Sequence, residues 1–301
     1  LLDISKVYNL HIECTSYCNA RCPACPRSFC GYGVDVEPTH LSYEKIKNYI
    51  NDFPNLNSIS YCGNYGDPMM HPDIDRLTEF DLYYSIATNG SPGRIETYEK
   101  LAKKNVTMRF GIDGLQDTNH LYRQDVVWER VIERAKAFIN SGGTAEWQFI
   151  VFNHNKHQIE KARQLSEQLG FVLFDVVRAG RDFMPALDRK GEISHWIKPA
   201  NQDVEKEIKE YDLSLEKHLH KNPYLLEIPP KPAHEIDCET KRGSLYIDAQ
   251  GNLLPCCYHG ITRQIQAKGV TIQEKVDSFS WLEQTWSTKD CDETCYSACK
   301  R

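Results

Sequence analysis

The chain has 301 residues, enough to bury roughly three quarters of its unfolded surface as one large domain or as a domain with an appendage. Its 36 Lys and Arg against 42 Asp and Glu argue against a broad phosphate-tracking surface, and so against nucleic acid as a partner. No apolar run approaches the roughly 18 residues of a membrane span, and LLDISKVYNLHIE lacks the regions of a signal peptide, so a soluble cytoplasmic protein is expected.

From Tyr8 to Val177, short β-rich runs alternate with helical periods. NLHIE, SISY, YYSIAT, VTMRFGI, WQFIVF and FVLFDVV read as strands. LSYEKIKNYINDF, DIDRLTEF, IETYEKLAKK, VVWERVIERAKAFINSGG and KHQIEKARQLSEQLG read as the helices between them, two ending at Gly. Six strands alternating with helices imply right-handed crossovers and a parallel sheet. Six units are too few for a closed eight-stranded barrel, so the expected class is α/β, a partial (β/α)6 TIM-like barrel or an open sheet.

After Arg181 the pattern breaks. A charged helix around Asp203 to His220 and the proline-rich EIPPKPAHEID read as a covering segment and linker, and SLYIDAQGNLLPCCY as a hairpin turning at Gln250 to Asn252. A helix around Ile272 to Trp286 leads to CDETCYSACKR. The expected division is 1–181 barrel, 182–237 covering segment and linker, and 238–301 a small hairpin-and-helix domain. That tail has too little apolar content for a robust core, a deficit that a metal cluster would remedy.

The twelve cysteines fall in two groups. Cys14, Cys18, Cys22, Cys25, Cys30 and Cys62 lie early, and Cys238, Cys256, Cys257, Cys291, Cys295 and Cys299 lie late. In a reducing cytosol such clusters favour metal or redox chemistry over disulfides. Cys18, Cys22 and Cys25, spaced Cys-x3-Cys-x2-Cys directly after the first strand, can ligate three irons of a four-iron cluster and leave one iron open. Zinc sites more usually pair two Cys-x2-Cys units or mix Cys with His. Cys14, Cys30 and Cys62 are expected to be buried or idle thiols.

CNARCPAC resembles the cluster loop of the radical S-adenosylmethionine superfamily, and the likeness continues along the first domain. In that family the open iron chelates the methionine moiety. Reductive cleavage then yields a 5'-deoxyadenosyl radical that abstracts hydrogen from substrate. GNYGDP resembles the segment that holds the methionine ammonium, with Tyr65, Gly66 and Asp67 in that part and Asp in place of the commoner Glu. ATNG, with Asn89, matches the end of the third strand, and GIDG the end of the fourth, with Gly111 where a Ser is frequent. Arg123 stands where an arginine pairs with the methionine carboxylate, a physically apt fork. Asn153 and Asn155 fall near the expected ribose region. Ala24 departs from the family, which carries an aromatic there beside the adenine; Tyr17, Phe29 and Tyr32 are the candidates to compensate.

The late cysteines resemble the auxiliary-cluster extension called SPASM or its shorter form, twitch. One auxiliary [4Fe-4S] cluster on Cys238, Cys256, Cys291 and Cys295 is implied, with Cys299 as alternate ligand, beside the cofactor-binding [4Fe-4S] cluster; a zinc ribbon is the competing reading. Cys257 is a spare thiol and a candidate hydrogen donor. The resemblance implies an enzyme that takes hydrogen from an unactivated carbon, in a net oxidation assisted by the auxiliary cluster. An external one-electron donor such as flavodoxin or ferredoxin would reduce the cofactor-binding cluster. A small polar substrate, a sugar or amino sugar, is expected, because no separate peptide-recognition domain is visible. Peptide oxidation, crosslinking or epimerisation is the alternative, and a non-catalytic iron-sulfur or zinc protein a remote one. Arg178, Arg181 and Asn153 are placed at the expected mouth.

Overall fold

The computed structural model describes residues 3–27, 37–178, 183–201, 203–209, 238, 240–257 and 267–280. Six strands follow one another as parallel neighbours: β1 (Asn9–Ile12), β2 (Ser58–Tyr61), β3 (Tyr83–Thr88), β4 (Val106–Gly111), β5 (Thr144–Val151) and β6 (Leu173–Arg178). Helices α1 (Tyr43–Asp52), α2 (Ile95–Leu101), α3 (Asn119–Tyr122), α4 (Trp128–Asn140) and α5 (Ile159–Leu169) fall in the crossovers. This is the partial β/α barrel that the alternation implies. Ser42 caps α1 by accepting from the Lys45 N–H, and Gly170, at φ 90°, ends α5 in a left-handed conformation.

Two stretches differ from expectation. DIDRLTEF forms only a 3-10 turn, Arg76–Thr78. Asp75 accepts from its neighbour's N–H while the Thr78 hydroxyl donates back to the Asp75 carbonyl, and such local bonds compete with a helix ladder. The covering segment holds an antiparallel pair, β7 (Met184–Leu187) and β8 (Ile193–Ile197), whose turn is tied by Asp188 accepting from the N–H groups of Lys190 and Glu192. The pair sits on the barrel through Asn153 N–H to the Lys198 carbonyl and His195 to the Leu121 carbonyl. Of the charged helix only α6 (Glu205–Lys209) lies within the described residues.

The expected hairpin is present as β9 (Ser244–Ile247) and β10 (Leu253–Leu254), turning at Gly251 with φ 81°. The eight-stranded sheet runs β10-β9-β1-β2-β3-β4-β5-β6, with β9 parallel to β1. Residues 244–254 therefore extend the barrel sheet, and α1 secures them: Tyr49 donates to the Gly251 carbonyl and Lys45 to that of Gln250. Helix α7 (Ile272–Asp277) starts on a Thr271/Glu274 capping box and ends at Ser278, short of the expected Trp286, in a turn over 278–280; residues from 281 on lie outside the described ones.

Period-two alternation puts two chemistries on the two faces of the sheet. Ile59, Ile86, Met108, Phe110, Trp147 and Phe149 are buried on the helix side. The facing row across the lumen is Tyr246, His11, Ser60, Ser85, Thr107 and Thr144, in register from β9 to β5. Closed eight-stranded barrels fill that space with branched apolar residues. Here the lumen is polar, and two cavities occupy it.

Candidate active site

The first cavity, about 290 Å³, lies at the C-terminal ends of the parallel strands. Cys18, Cys22 and Cys25 wall it from the loop after β1; Tyr65, Gly66 and Asp67 from the loop after β2; Asn89, Gly111 and Arg123 from the ends of β3 and β4 and the segment beyond. Nine residues expected at one site from five stretches of sequence thus share one cavity. Cys22 and Cys25 are joined by a turn in which the Cys25 N–H donates to the Cys22 carbonyl at 3.0 Å. Among the described residues no group of three His, Cys, Asp or Glu is placed to hold a single metal ion; the three thiols surround a space instead.

Burial pushes the Cys18 thiol up and the Cys22 thiol up to about 11, with Arg123 opposing the rise at Cys22. Ligand binding at these sulfurs would therefore be coupled to proton release. Arg123 donates to buried Asp113 at 2.6 Å through Nε, and its Nη1 lies 3.8 Å from the Cys22 sulfur. Burial alone would lower the guanidinium pKa, but Asp113 and Cys22 carry it up, so the cation is secure. Gly111 makes the room: a Cβ there would lie 2.4 Å from Arg123 Nη2. The Gly111 that departs from the usual Ser and the Arg123 that follows it are one packing unit.

Asp67 is differently engaged. Its two oxygens accept from the Thr88 hydroxyl and from the N–H groups of Asn89 and Met69, at 2.8 to 3.0 Å. Burial raises its pKa while the Asn89 N–H and Thr88 hydroxyl pull it back. The carboxylate thus ties the loop after β2 to the end of β3. Asn89 in turn donates to Asn19 at 2.9 Å and sits 3.8 Å from the Cys18 sulfur.

Other expectations fall elsewhere. Asn153 is exposed and does not wall the cavity; Gln148 and Ile150 present β5 there. Asn155 is buried and its amide holds the Asp113 and Ile150 carbonyls and the Phe152 N–H. Arg178 pairs in register with Val151 and so belongs to the outer face, away from the mouth. Tyr17 stacks on His40 at 4.6 Å rather than on the cavity. Phe29, Tyr32, Cys30, Arg181, Cys291, Cys295 and Cys299 lie outside the described residues.

Several wall residues carried no sequence signal of their own. Tyr122, immediately before Arg123, supplies an aromatic side. Cys62, expected idle, walls this cavity and also a second of about 290 Å³ beneath it, together with Ala87 and Arg109. The Cys62 sulfur lies 2.7 Å from His11 Nε2, and burial holds the His11 pKa down to about 4, so the imidazole is neutral. Arg109 pairs with Glu146 at 2.7 Å. In the C-terminal part, Cys238 is buried, and the Thr240 hydroxyl donates to the Pro255 carbonyl at 2.6 Å, which brings the Cys238 turn beside Cys256.

The fold is shared with solved structures. Streptococcus suis SuiB bound to S-adenosylmethionine superposes with a TM-score of 0.61 at 20% identity over 91% of this chain and 66% of that one. SuiB bound to its precursor peptide SuiA gives 0.62 at 18% over 95% and 66%. The anSMEcpe structure with bound AdoMet and the Cp18Cys peptide gives 0.59 at 14% over 97% and 88%. The chain thus spans about two thirds of the length of SuiB. No curated protein matches the sequence. Residues 12–165 match the family model described as the Radical SAM superfamily, a stretch that holds Cys18, Cys22 and Cys25 and every wall residue named for the first cavity, and the chain belongs to that superfamily.

Proposed function

We propose that the chain cleaves S-adenosylmethionine at a [4Fe-4S] cluster held by Cys18, Cys22 and Cys25, and uses it to take a hydrogen atom from an unactivated carbon of a peptide. The observation that carries this reading is the meeting of the three thiols with Arg123 and the Tyr65–Gly66 loop around one cavity. The donor set fits the group: three thiols from one loop would ligate three irons, and the buried Arg123 cation beside Cys22 is suited to a carboxylate. When bound, the cluster and S-adenosylmethionine supply the one-electron chemistry that opens the sulfonium.

The residues of the chain bind and orient. Arg123, fixed by Asp113, pairs with the methionine carboxylate. Backbone carbonyls of the loop after β2 receive the ammonium, rather than the Asp67 carboxylate, which Thr88, Asn89 and Met69 already engage. Tyr122 supplies the aromatic surface that Ala24 lacks. Asn89 braces the cluster loop through Asn19. The polar lumen beneath, with Ser60, Ser85 and Arg109, receives the substrate group whose C–H reacts.

A peptide is favoured over a sugar because two of the structures sharing this fold, SuiB with SuiA and anSMEcpe with Cp18Cys, hold peptides. The sugar expectation has no such support. A second [4Fe-4S] cluster on Cys238 and Cys256, with Cys291 and Cys295 and Cys299 as alternate, would make a net oxidation feasible by accepting the remaining electron. The barrel then spans 1–181, the cover 182–237 and the auxiliary unit 238–301. A low-potential one-electron donor and a reducing cytoplasm complete the reading. No described helix is long and apolar enough to cross a membrane.

Anaerobic iron and sulfide analysis of reconstituted protein tests it, followed by dithionite and S-adenosylmethionine. About eight irons per chain and release of 5'-deoxyadenosine are expected. Stoichiometric zinc, or an intact cofactor after incubation, would refute it. A Cys238→Ala, Cys256→Ala double variant is expected to keep about four irons.

A further inference from the structure

The loop after β2 is oriented from behind. Glu13, next after β1, is 1% exposed and does not wall the cavity. Its Oε1 accepts from the N–H groups of Tyr65 at 2.6 Å and Gly66 at 3.0 Å. Its Oε2 accepts from the Tyr246 hydroxyl at 2.6 Å, and Tyr246 belongs to β9 in the late part of the chain. The Asn64 side-chain amide donates to the same hydroxyl at 3.2 Å and to the Cys257 carbonyl at 2.7 Å. Two glycines allow the close approach. A Cβ on Gly63 would lie 2.7 Å from Glu13 Oε1, and one on Gly66 would lie 1.8 Å from the Thr15 carbonyl oxygen.

Peptide planarity turns this into a statement about the cavity. In a trans peptide the C=O points opposite to the N–H it is bonded to. With the N–H groups of Tyr65 and Gly66 directed at Glu13, the carbonyls of Asn64 and Tyr65 point the other way. The first of them accepts from the Cys25 thiol at 3.6 Å, which fixes that direction as the cluster side. The loop therefore offers acceptors to the cavity, and the partial negative charge of two carbonyls suits an ammonium and repels a carboxylate.

We propose that Glu13, braced by Tyr246, is the positioning residue that aims the carbonyls of residues 64 and 65 into the cavity and so makes this wall selective for the α-ammonium group of S-adenosylmethionine. The proposal rests on the reading of the cavity as the S-adenosylmethionine site. It also means that β9, which the alternation of the first half does not foresee, completes that site.

The test compares two ligands on reconstituted holoenzyme by equilibrium binding: S-adenosylhomocysteine and its analogue with hydrogen in place of the α-amino group. The wild type is expected to favour the amino ligand by roughly tenfold or more, as one charged hydrogen-bonding interaction supplies. Glu13→Ala is expected to lose about tenfold of the affinity for S-adenosylhomocysteine while the deamino analogue changes by about twofold at most. Glu13→Gln, whose amide oxygen still accepts from both N–H groups, should restore the preference. Tyr246→Phe should shift it the same way by about threefold and stands in if Glu13→Ala does not fold. Retention of the full preference in Glu13→Ala, or in Tyr246→Phe where that stands in, would overturn the proposal, as would an equal loss for both ligands. A wild-type holoenzyme that binds neither ligand would overturn the cofactor-site reading and this proposal with it.

Discussion

On the helix side of the sheet, Ile86, Met108, Phe110 and Trp147 are fully buried and interlock, Phe110 touching Tyr98, Phe138 and Phe171. On the lumen side, the same strands present Ser85, Ala87, Arg109 and Glu146, paired or facing a cavity. One residue's shift along a strand therefore moves from a position that sets stability to a position that sets chemistry. The lumen keeps polar side chains because neighbours from adjacent strands satisfy them, as Arg109 does with Glu146 and Asn9 with Ser58, Ser60 and Ser244. Mutations on the two faces should separate into folding defects and function defects.

The largest effect is expected at Cys22→Ser, which should reduce 5'-deoxyadenosine formation to background with little change in unfolding midpoint. A cleavage assay and a thermal melt on the same sample decide it, and retained cleavage would remove Cys22 from the ligand set. Phe110→Ala, on the other face, should cost about 3–5 kcal/mol by opening a cavity beside the rings of Tyr98, Phe138 and Phe171. Denaturant titration measures it, and a loss below about 1 kcal/mol would show that the helix layer is not a packed core.

Gly111→Ser sharpens the contrast, because it adds only a hydroxymethyl group, and on the lumen face. Displacing Arg123 should weaken S-adenosylmethionine binding by roughly tenfold, the scale of one charge-assisted hydrogen bond. Unchanged affinity would mean that Arg123 does not touch the ligand.

A last effect concerns pH. Burial raises the Glu13 pKa from 4.5 to about 7, against the hydrogen bonds from Tyr246, Tyr65 and Gly66. A carboxyl with a raised folded-state pKa contributes stability that is full below its unfolded value and lost as pH rises through the folded value. Stability of the unloaded protein should therefore fall between about pH 5 and about pH 7.5 by an amount on the order of a few kcal/mol, and Glu13→Gln should flatten the decline. Parallel curves for the two proteins would assign the decline to other groups.

Much of this was legible from residue order. NLHIE through FVLFDVV alternate at period two between apolar-rich helical segments, so the six parallel strands and their crossovers follow from the pattern. The spacing of Cys18, Cys22 and Cys25 directly after β1, and of GNYGDP, ATNG, GIDG and Arg123 after later strands, placed all of them at one edge of a parallel sheet. Asn153 follows the same strand that presents Gln148 and Ile150, but it lies past the strand's end and bonds to the β7 to β8 hairpin instead of reaching the cavity. That hairpin left no sequence signal because MPAL and ISHWI are too short to show alternation, and Asp188 closes their turn without a glycine at its first positions. Glu13 stands on the polar side of NLHIE, one residue past the end of β1, yet an acid at a strand end says nothing of its burial.

By itself the sequence determined the barrel strands, the edge that carries the chemistry and the three-thiol loop, because local periodicity and short motifs encode backbone direction within about ten residues. Tertiary structure alone decided what those groups face. Pairing of β9 with β1 joins Tyr246 to Glu13 from opposite ends of the chain, and Gly111 is explained only by the guanidinium that rests on it. Contacts of that range depend on which strands become neighbours, and neighbour choice is settled by packing of the whole sheet rather than by any segment of it.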